Sequence, residues 1–169
     1  ELIHPNEISG VILVGLDQVL RSEEDRALID QIVQRVERAV CVEWEWPGVP
    51  SIQFDRQNAA YQATHHLVMT GHQHIAYIGP EDKRLLGYHQ ALWEAGLTAD
   101  EALVQYAADA LFGSECCERI LRTGQQIDAI CGGTDEVSLG VLHCLYRHGL
   151  RVPHDLAIAS IDNLDISAF

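Results

Sequence analysis

An α/β fold with parallel sheets flanked by helices is predicted by two features of this 169-residue sequence. Short apolar runs rich in β-branched residues alternate with longer stretches whose apolar residues recur at helical spacing, the pattern of strands joined by covering helices. Four helical stretches also stop at a glycine, at Gly71, Gly96, Gly124 and Gly149. A helix ends this way when the chain turns through the left-handed conformation that glycine adopts without a Cβ clash.

The elements follow in order. "SGVILVG" (9 to 15) is a β-branched run suited to the middle of a parallel sheet, and "EEDRALIDQIVQRVERA" after it sets Leu28, Ile32, Val33 and Val36 at helical spacing. "AVCVEW" (39 to 44) reads as the next strand, "EWPGVPS" as a loop marked by two prolines and a glycine, and "IQF" as a short strand ending at Asp55. "QNAAYQATHHLVMTG" then places Ala59, Ala63 and Leu67 on one helical face, "HIAYIG" is a strand, and "RLLGYHQALWEAG" is a helix. "SECCERILRTG" and "DEVSLGVLHCLYRHG" are helices, with the strand "IDAICGG" between them and "LAIASI" as the last strand.

Composition narrows the function classes. The chain is 47% hydrophobic and 21% charged, as globular domains are. It has no run of roughly 20 apolar residues such as a membrane helix requires, so no membrane partner is expected. The N-terminal "ELIHPNEISG" lacks the basic and apolar regions of a secretory signal. A formal charge of −14 repels a phosphate backbone, which makes this segment a poor nucleic-acid binder by itself.

Cys41, Cys116, Cys117, Cys131 and Cys144 show no CxxC pair and lie mostly in apolar runs, as reduced packing thiols in the cytoplasm do. The histidine clusters 65–66 and 72–74 lack a cysteine or carboxylate at ligand spacing, so neither a metal nor a cofactor is expected. No GxSxG elbow, GxxxxGK[ST] loop or GxGxxG fingerprint is present, which weighs against hydrolase, kinase and dehydrogenase chemistry.

Ligands of parallel α/β sheets bind beyond the carboxyl ends of the strands. The residues found there are Leu16 and Asp17, Glu43 to Trp46, Asp55, Pro80 to Arg84, Thr134 with Asp135, and Asp162 with Asn163. Carboxylates that accept hydroxyls, a planar guanidinium that donates and a flat tryptophan face suit a small polyhydroxylated ligand.

Structural roles compete with this reading. Thr134 and Asp135 open a helix, where a side-chain oxygen, that of Asp135 above all, is placed to cap it; Trp44 and Trp46 are placed to pack on the sheet, and Asp162 is placed to close a turn with Asn163. Arg84, a cation at a helix start, calls for a specific partner.

Several segments resemble the effector-binding domain of the lactose/galactose repressor family. They are "HHLVMTGHQHIAYIGP", "RLLGYHQALWEAGL", "SGVILVG" and, most specifically, "ICGGTDEVSLGVLHCLYRHGLRVPHDLAIASIDN". The resemblance implies a bacterial transcriptional repressor, not an enzyme, whose two-lobed, periplasmic-binding-protein-like core binds a small effector between its lobes. That effector would be a sugar, a sugar derivative or a purine. The core would form a homodimer in the cytoplasm and reach operator DNA through an N-terminal helix-turn-helix domain absent from this chain.

On this likeness residues 1–55 are part of the N-terminal lobe and residues 56–169 part of the C-terminal lobe, both partial. Arg84 of "RLLGY" falls on the family's effector-contacting arginine, and Asp162 of "SIDN" on the aspartate that takes sugar hydroxyls in several members. Thr134 stands where many members have asparagine, beside Asp135; Trp44 joins the expected ligand-binding set from its strand-end position and not from the likeness. Ala110 lies near the place where an aromatic often caps the ligand. A sugar-binding protein of transport or chemotaxis shares the fold and is the competing function.

Overall fold

The computed structural model describes residues 8–15, 20 and 22–168. Leu16 and Asp17, expected at a strand end, lie outside the described residues. The chain divides into two compact units, residues 1–54 and 55–169.

In the first unit β1 (Val11–Val14), β2 (Ala39–Val42) and β3 (Ser51–Ile52) form a parallel sheet in the order β1-β2-β3. Helix α1 (Glu23–Arg35) joins the first two strands. It starts at a reciprocal capping box, in which Ser22 accepts from the Asp25 N–H and the Asp25 side chain accepts from the Ser22 N–H. Leu13, Ile29, Cys41 and Trp46 form a small core between sheet and helix. The second strand is shorter than "AVCVEW", because Glu43 takes a left-handed φ of 57° and breaks the extended run.

The second unit is an α/β layer structure. Its strands β4 (Ile75–Gly79), β5 (Val104–Tyr106), β6 (Ala129–Gly132) and β7 (Ala157–Ala159) make a parallel sheet in the order β5-β4-β6-β7. The helices are α2 (Arg56–Met69), α3 (Lys83–Glu94), α4 (Ala110–Thr123) and α5 (Asp135–Arg147). Successive residues of a strand face opposite sides of its sheet. Accordingly Ile75 and Tyr77 of β4 and Ala129 and Cys131 of β6 pack with α2 and α3 residues such as Leu67, Tyr88 and Leu92. Ala76, Ile78 and Ile130 pack with Cys116, Ile120, Val141 and Leu145 of α4 and α5. Both faces are buried, which is why these strands read as unbroken apolar runs.

Strand β5 was not anticipated. Its three residues sit at the sheet edge after a 3-10 turn (Glu101–Leu103), too few for any period to show. The expected helix-ending glycines do turn left-handed, with φ of 99° at Gly71, 71° at Gly96, 68° at Gly124 and 70° at Gly149. At Gly149 the closure is complete: its N–H donates to Tyr146 O and the Leu150 N–H donates to Leu145 O, each at 3.0 Å.

Two close approaches fix the geometry. A Cβ on Gly140 of α5 would stand 1.8 Å from Ala110 O, and one on Gly113 of α4 would stand 2.4 Å from Val137 O, so the N-terminal halves of these helices meet backbone to backbone. A Cβ on Gly79 would stand 2.7 Å from Gly133 Cα, and one on Gly133 would stand 2.8 Å from Gly79 Cα. The chains leaving β4 and β6 therefore touch through their main chains. All five cysteines are buried and free, as expected of packing thiols. Cys131 is pushed up to about 11 by its burial, against a hydrogen bond from Thr64.

Candidate functional site

Strand order sets where a ligand docks. From β4 the chain moves outward to β5, then returns past β4 to add β6 and β7, so the direction of strand addition reverses between β4 and β6. At such a switch point the loops leaving two neighbouring strands part in opposite directions and open a crevice at their carboxyl ends. The β4 loop carries Pro80 to Arg84 and the β6 loop carries Thr134 and Asp135, while Asp162 follows β7.

Arg84 lies in the first turn of α3 with 8% of its surface exposed. Asp82, the N-cap of that helix, accepts from the Arg84 backbone N–H at 2.9 Å and from Nη1 at 2.6 Å. Asp82 is thus the partner that a cation at a helix start calls for, and it offsets the unfavourable dipole. The guanidinium is still incompletely used, because its Nε is buried and has no hydrogen-bond partner. A buried donor left unpaired costs about 1–3 kcal/mol, which a ligand acceptor recovers.

Thr134, not Asp135, caps α5: its Oγ1 accepts from the Val137 N–H at 3.1 Å. This corrects the capping role considered for Asp135, whose buried carboxylate instead accepts from the Leu164 N–H at 2.7 Å. That bond ties the segment after β7 to the start of α5. The Thr134 hydroxyl keeps its proton free to donate.

Asp162 is exposed and left-handed, with φ of 108°, and Asn163 follows with φ of 57°. Desolvation raises the pKa of Asp162 above the ordinary carboxylate value, and the nearby charge of Asp135 raises it further. Arg84, Arg56 and a hydrogen bond from the Asp135 N–H oppose the rise. Arg84 and Asp135 thus each lie within electrostatic reach of Asp162, and Thr134 adjoins Asp135 in the chain.

Trp44 lies in the first unit, where its ring stands 5.0 Å from that of Trp46. The Trp46 Nε1 donates to Asp30 at 3.0 Å, which fixes the pair. Trp44 is half-buried and keeps part of its face open.

Sequence reasoning missed Asp82 as the arginine's partner, although an aspartate two residues before a helical arginine is a readable capping signal. It also missed Ser138, whose hydroxyl donates to Thr134 O at 2.8 Å and lies 2.8 Å from Ser160 Oγ, bracing the helix start against the end of β7.

The histidine clusters stay apart from this site. His72 lies 3.7 Å from Asp128, whose carboxylate is occupied in accepting the backbone N–H groups of Gln73 and His74.

Residues 64–169 match the family described as periplasmic binding protein-like domain. The chain belongs to this family. It is 33% identical over its whole length to the HTH-type transcriptional repressor CytR of Escherichia coli K12 and covers 50% of that protein. A LacI family transcriptional regulator from Mycobacterium smegmatis superposes with a TM-score of 0.74 at 30% identity, over 96% of this chain and 62% of that one. The solved complex of the transcriptional regulator CelR with cellobiose gives a TM-score of 0.74 at 30% identity, over 92% and 49%. Within the family the chain is thus a LacI-type effector-binding core, as the resemblance implied. It spans half or less of the length of curated relatives such as CytR. Among the described residues no helix is long and apolar enough to cross a membrane.

Proposed function

We propose that this chain is the effector-sensing domain of a bacterial transcriptional repressor and that a small sugar-like ligand binds at the carboxyl edge of the second unit's sheet. The observation that carries this reading is the buried Arg84 Nε without a partner, set at the switch point within electrostatic reach of Asp162. Arg84 would donate to a ring or hydroxyl oxygen, Asp162 would accept hydroxyl protons, and Thr134 would donate. Asp135 would hold Asp162 and the following turn in place. Trp44 is the first unit's candidate for stacking on an apolar sugar face.

Residues 1–55 and 56–169 would be partial lobes, with the crossover at Asp55 acting as a hinge. The cytoplasmic repressor would reach its operator through an N-terminal helix-turn-helix domain. For a switch, the effector must bind the two states unequally, with a coupling of about 1–3 kcal/mol.

A melting panel of sugars, sugar phosphates, sugar acids and purines, run on the wild-type chain and on Asp162→Asn, tests this reading. A ligand at 100 times its Kd adds about 2.7 kcal/mol to stability. The expected result is a rise in Tm with one sugar class that is lost or much reduced in the variant. Equal rises in both proteins remove Asp162 from the site, and a response to purines alone removes the sugar-like ligand.

Without ligand, Asp162→Asn is expected to raise Tm at neutral pH. A folded-state pKa above the unfolded value means that the folded protein holds this proton more tightly. The ionised group therefore destabilises the fold, and the penalty fades only as pH falls through the raised pKa.

A homodimer is part of the proposal. Leu111, Phe112, Leu142 and Tyr146 are exposed apolar side chains on the packed pair α4 and α5, the kind of surface a second copy covers. Sedimentation equilibrium is expected to give twice the 18.8 kDa of the chain, and Tyr146→Glu to lower the mass toward it. A wild-type chain that sediments at 18.8 kDa refutes the dimer.

A further inference from the structure

Strands and their covering helices run in opposite directions, so the C-terminal ends of α4 and α5 lie at the edge of the sheet away from Arg84 and Asp162. There three groups of different chemistry converge. Glu118 comes from α4, and Cys144 and His148 come from α5 and its C-cap at a spacing of four, which stacks them on one helical face. One ligand atom from each lies within 4.8 Å of the other two, and His148 Nε2 stands 2.8 Å from Glu118 Oε1.

An ordinary ion pair at a helix end accounts for the imidazole and the carboxylate, and it needs no thiol. Cys144 is fully buried, yet its sulfur belongs to the same cluster, while the half-exposed His148 opens the cluster to solvent. The carboxylate is also divided in use. Oε2 faces Arg122 at 3.5 Å, and Oε1 is turned toward His148.

We infer that Glu118, Cys144 and His148 form a binding site for a borderline-soft divalent transition metal, best matched by Zn2+. One thiolate, one imidazole and one carboxylate are the ligand types that Zn2+ takes in tetrahedral geometry, and water would fill the fourth position. Zinc bond lengths of about 2.0–2.3 Å set ligand atoms about 3.3–3.6 Å apart. The three atoms, now between 2.8 Å and 4.8 Å apart, need only small side-chain shifts. The thiolate and carboxylate balance the ion's two charges. Binding displaces the Cys144 proton into solvent, so affinity falls as pH is lowered. Cys117 lies in the same buried core cluster as Cys144 and so backs the metal-bearing sulfur from the core side.

Cobalt titration of the 169-residue chain tests the site. The expected result is a thiolate-to-cobalt charge-transfer band in the near ultraviolet that saturates at one equivalent and is abolished by Zn2+. Cys144→Ser should remove the band, and His148→Gln and Glu118→Gln should weaken Zn2+ at least about tenfold in competition with a chromophoric chelator. Cys116→Ser should leave both unchanged, because that sulfur accepts from Arg119 outside the cluster. His148 is partly exposed, so its variant keeps the fold and remains decisive even if Cys144→Ser does not. No band in the wild type, or a band and a Zn2+ affinity indifferent to His148→Gln, overturns the proposal. Neither readout depends on the effector, so the site stands or falls separately from the sugar-binding reading.

Discussion

Arg84→Ala is expected to weaken the effector by up to about 3 kcal/mol, roughly 150-fold in Kd, and to leave the fold in place. The size follows from what the side chain does. A charge-assisted hydrogen bond from a buried guanidinium is worth about 1.5–3 kcal/mol, and here the donor has no protein partner to fall back on. Stability is spared because Asp82 caps α3 through the backbone N–H of residue 84, which alanine retains. Arg84→Lys should recover only part of the affinity, since an ammonium is a point charge without the planar fork. Calorimetry with the ligand identified by the melting panel measures both variants. An alanine variant that binds as tightly as the wild type removes Arg84 from the site.

Gly140→Ala should have the largest effect on stability, lowering it by about 3 kcal/mol or more, with a fall in Tm of about 10 °C. The added methyl would stand 1.8 Å from Ala110 O. The obstacle is main chain of a neighbouring helix and not the movable end of a side chain, so α4 and α5 must separate along their whole contact. Gly113→Ala acts from the other side of the same seam and should add little in the double variant, because the helices need to part only once. Urea denaturation reads the effect, and a loss below about 1 kcal/mol would mean that the helices do not meet as described.

The alternation of β-branched runs and amphipathic stretches makes the layer architecture legible in the sequence, and the left-handed glycines mark the helix ends. Arg84, Thr134, Asp135 and Asp162 were legible for the same reason, since a parallel sheet sends the residue after each strand to one edge. What stayed hidden depends on contacts distant in sequence or on too few residues. Strand β5 is three residues long and held by its neighbour β4, so no period betrays it. Thr134 and Asp135 are both good caps, and the choice falls on Thr134 because one residue of offset in the helix start decides between them. Glu118 and Cys144 come together only because the glycine seam brings α4 against α5, and no spacing within either helix announces it. Periodicity places several polar groups at the strand ends, and only the resemblance singles out Arg84 and Asp162 among them as candidates for an effector.

The contact of Gly79 with Gly133 gives the crevice a fixed gauge. The loops that carry Arg84 and Thr134 diverge from a point where two main chains meet, with the Tyr77 hydroxyl and the Pro80 ring packed against them. At the proposed site, an exchange such as a longer amide for Thr134 would therefore alter the polar groups presented without moving the two main chains apart. If a ligand binds there as proposed, its selectivity would drift through side-chain exchanges alone, while the approach of the two loops stays set by the Gly79–Gly133 contact.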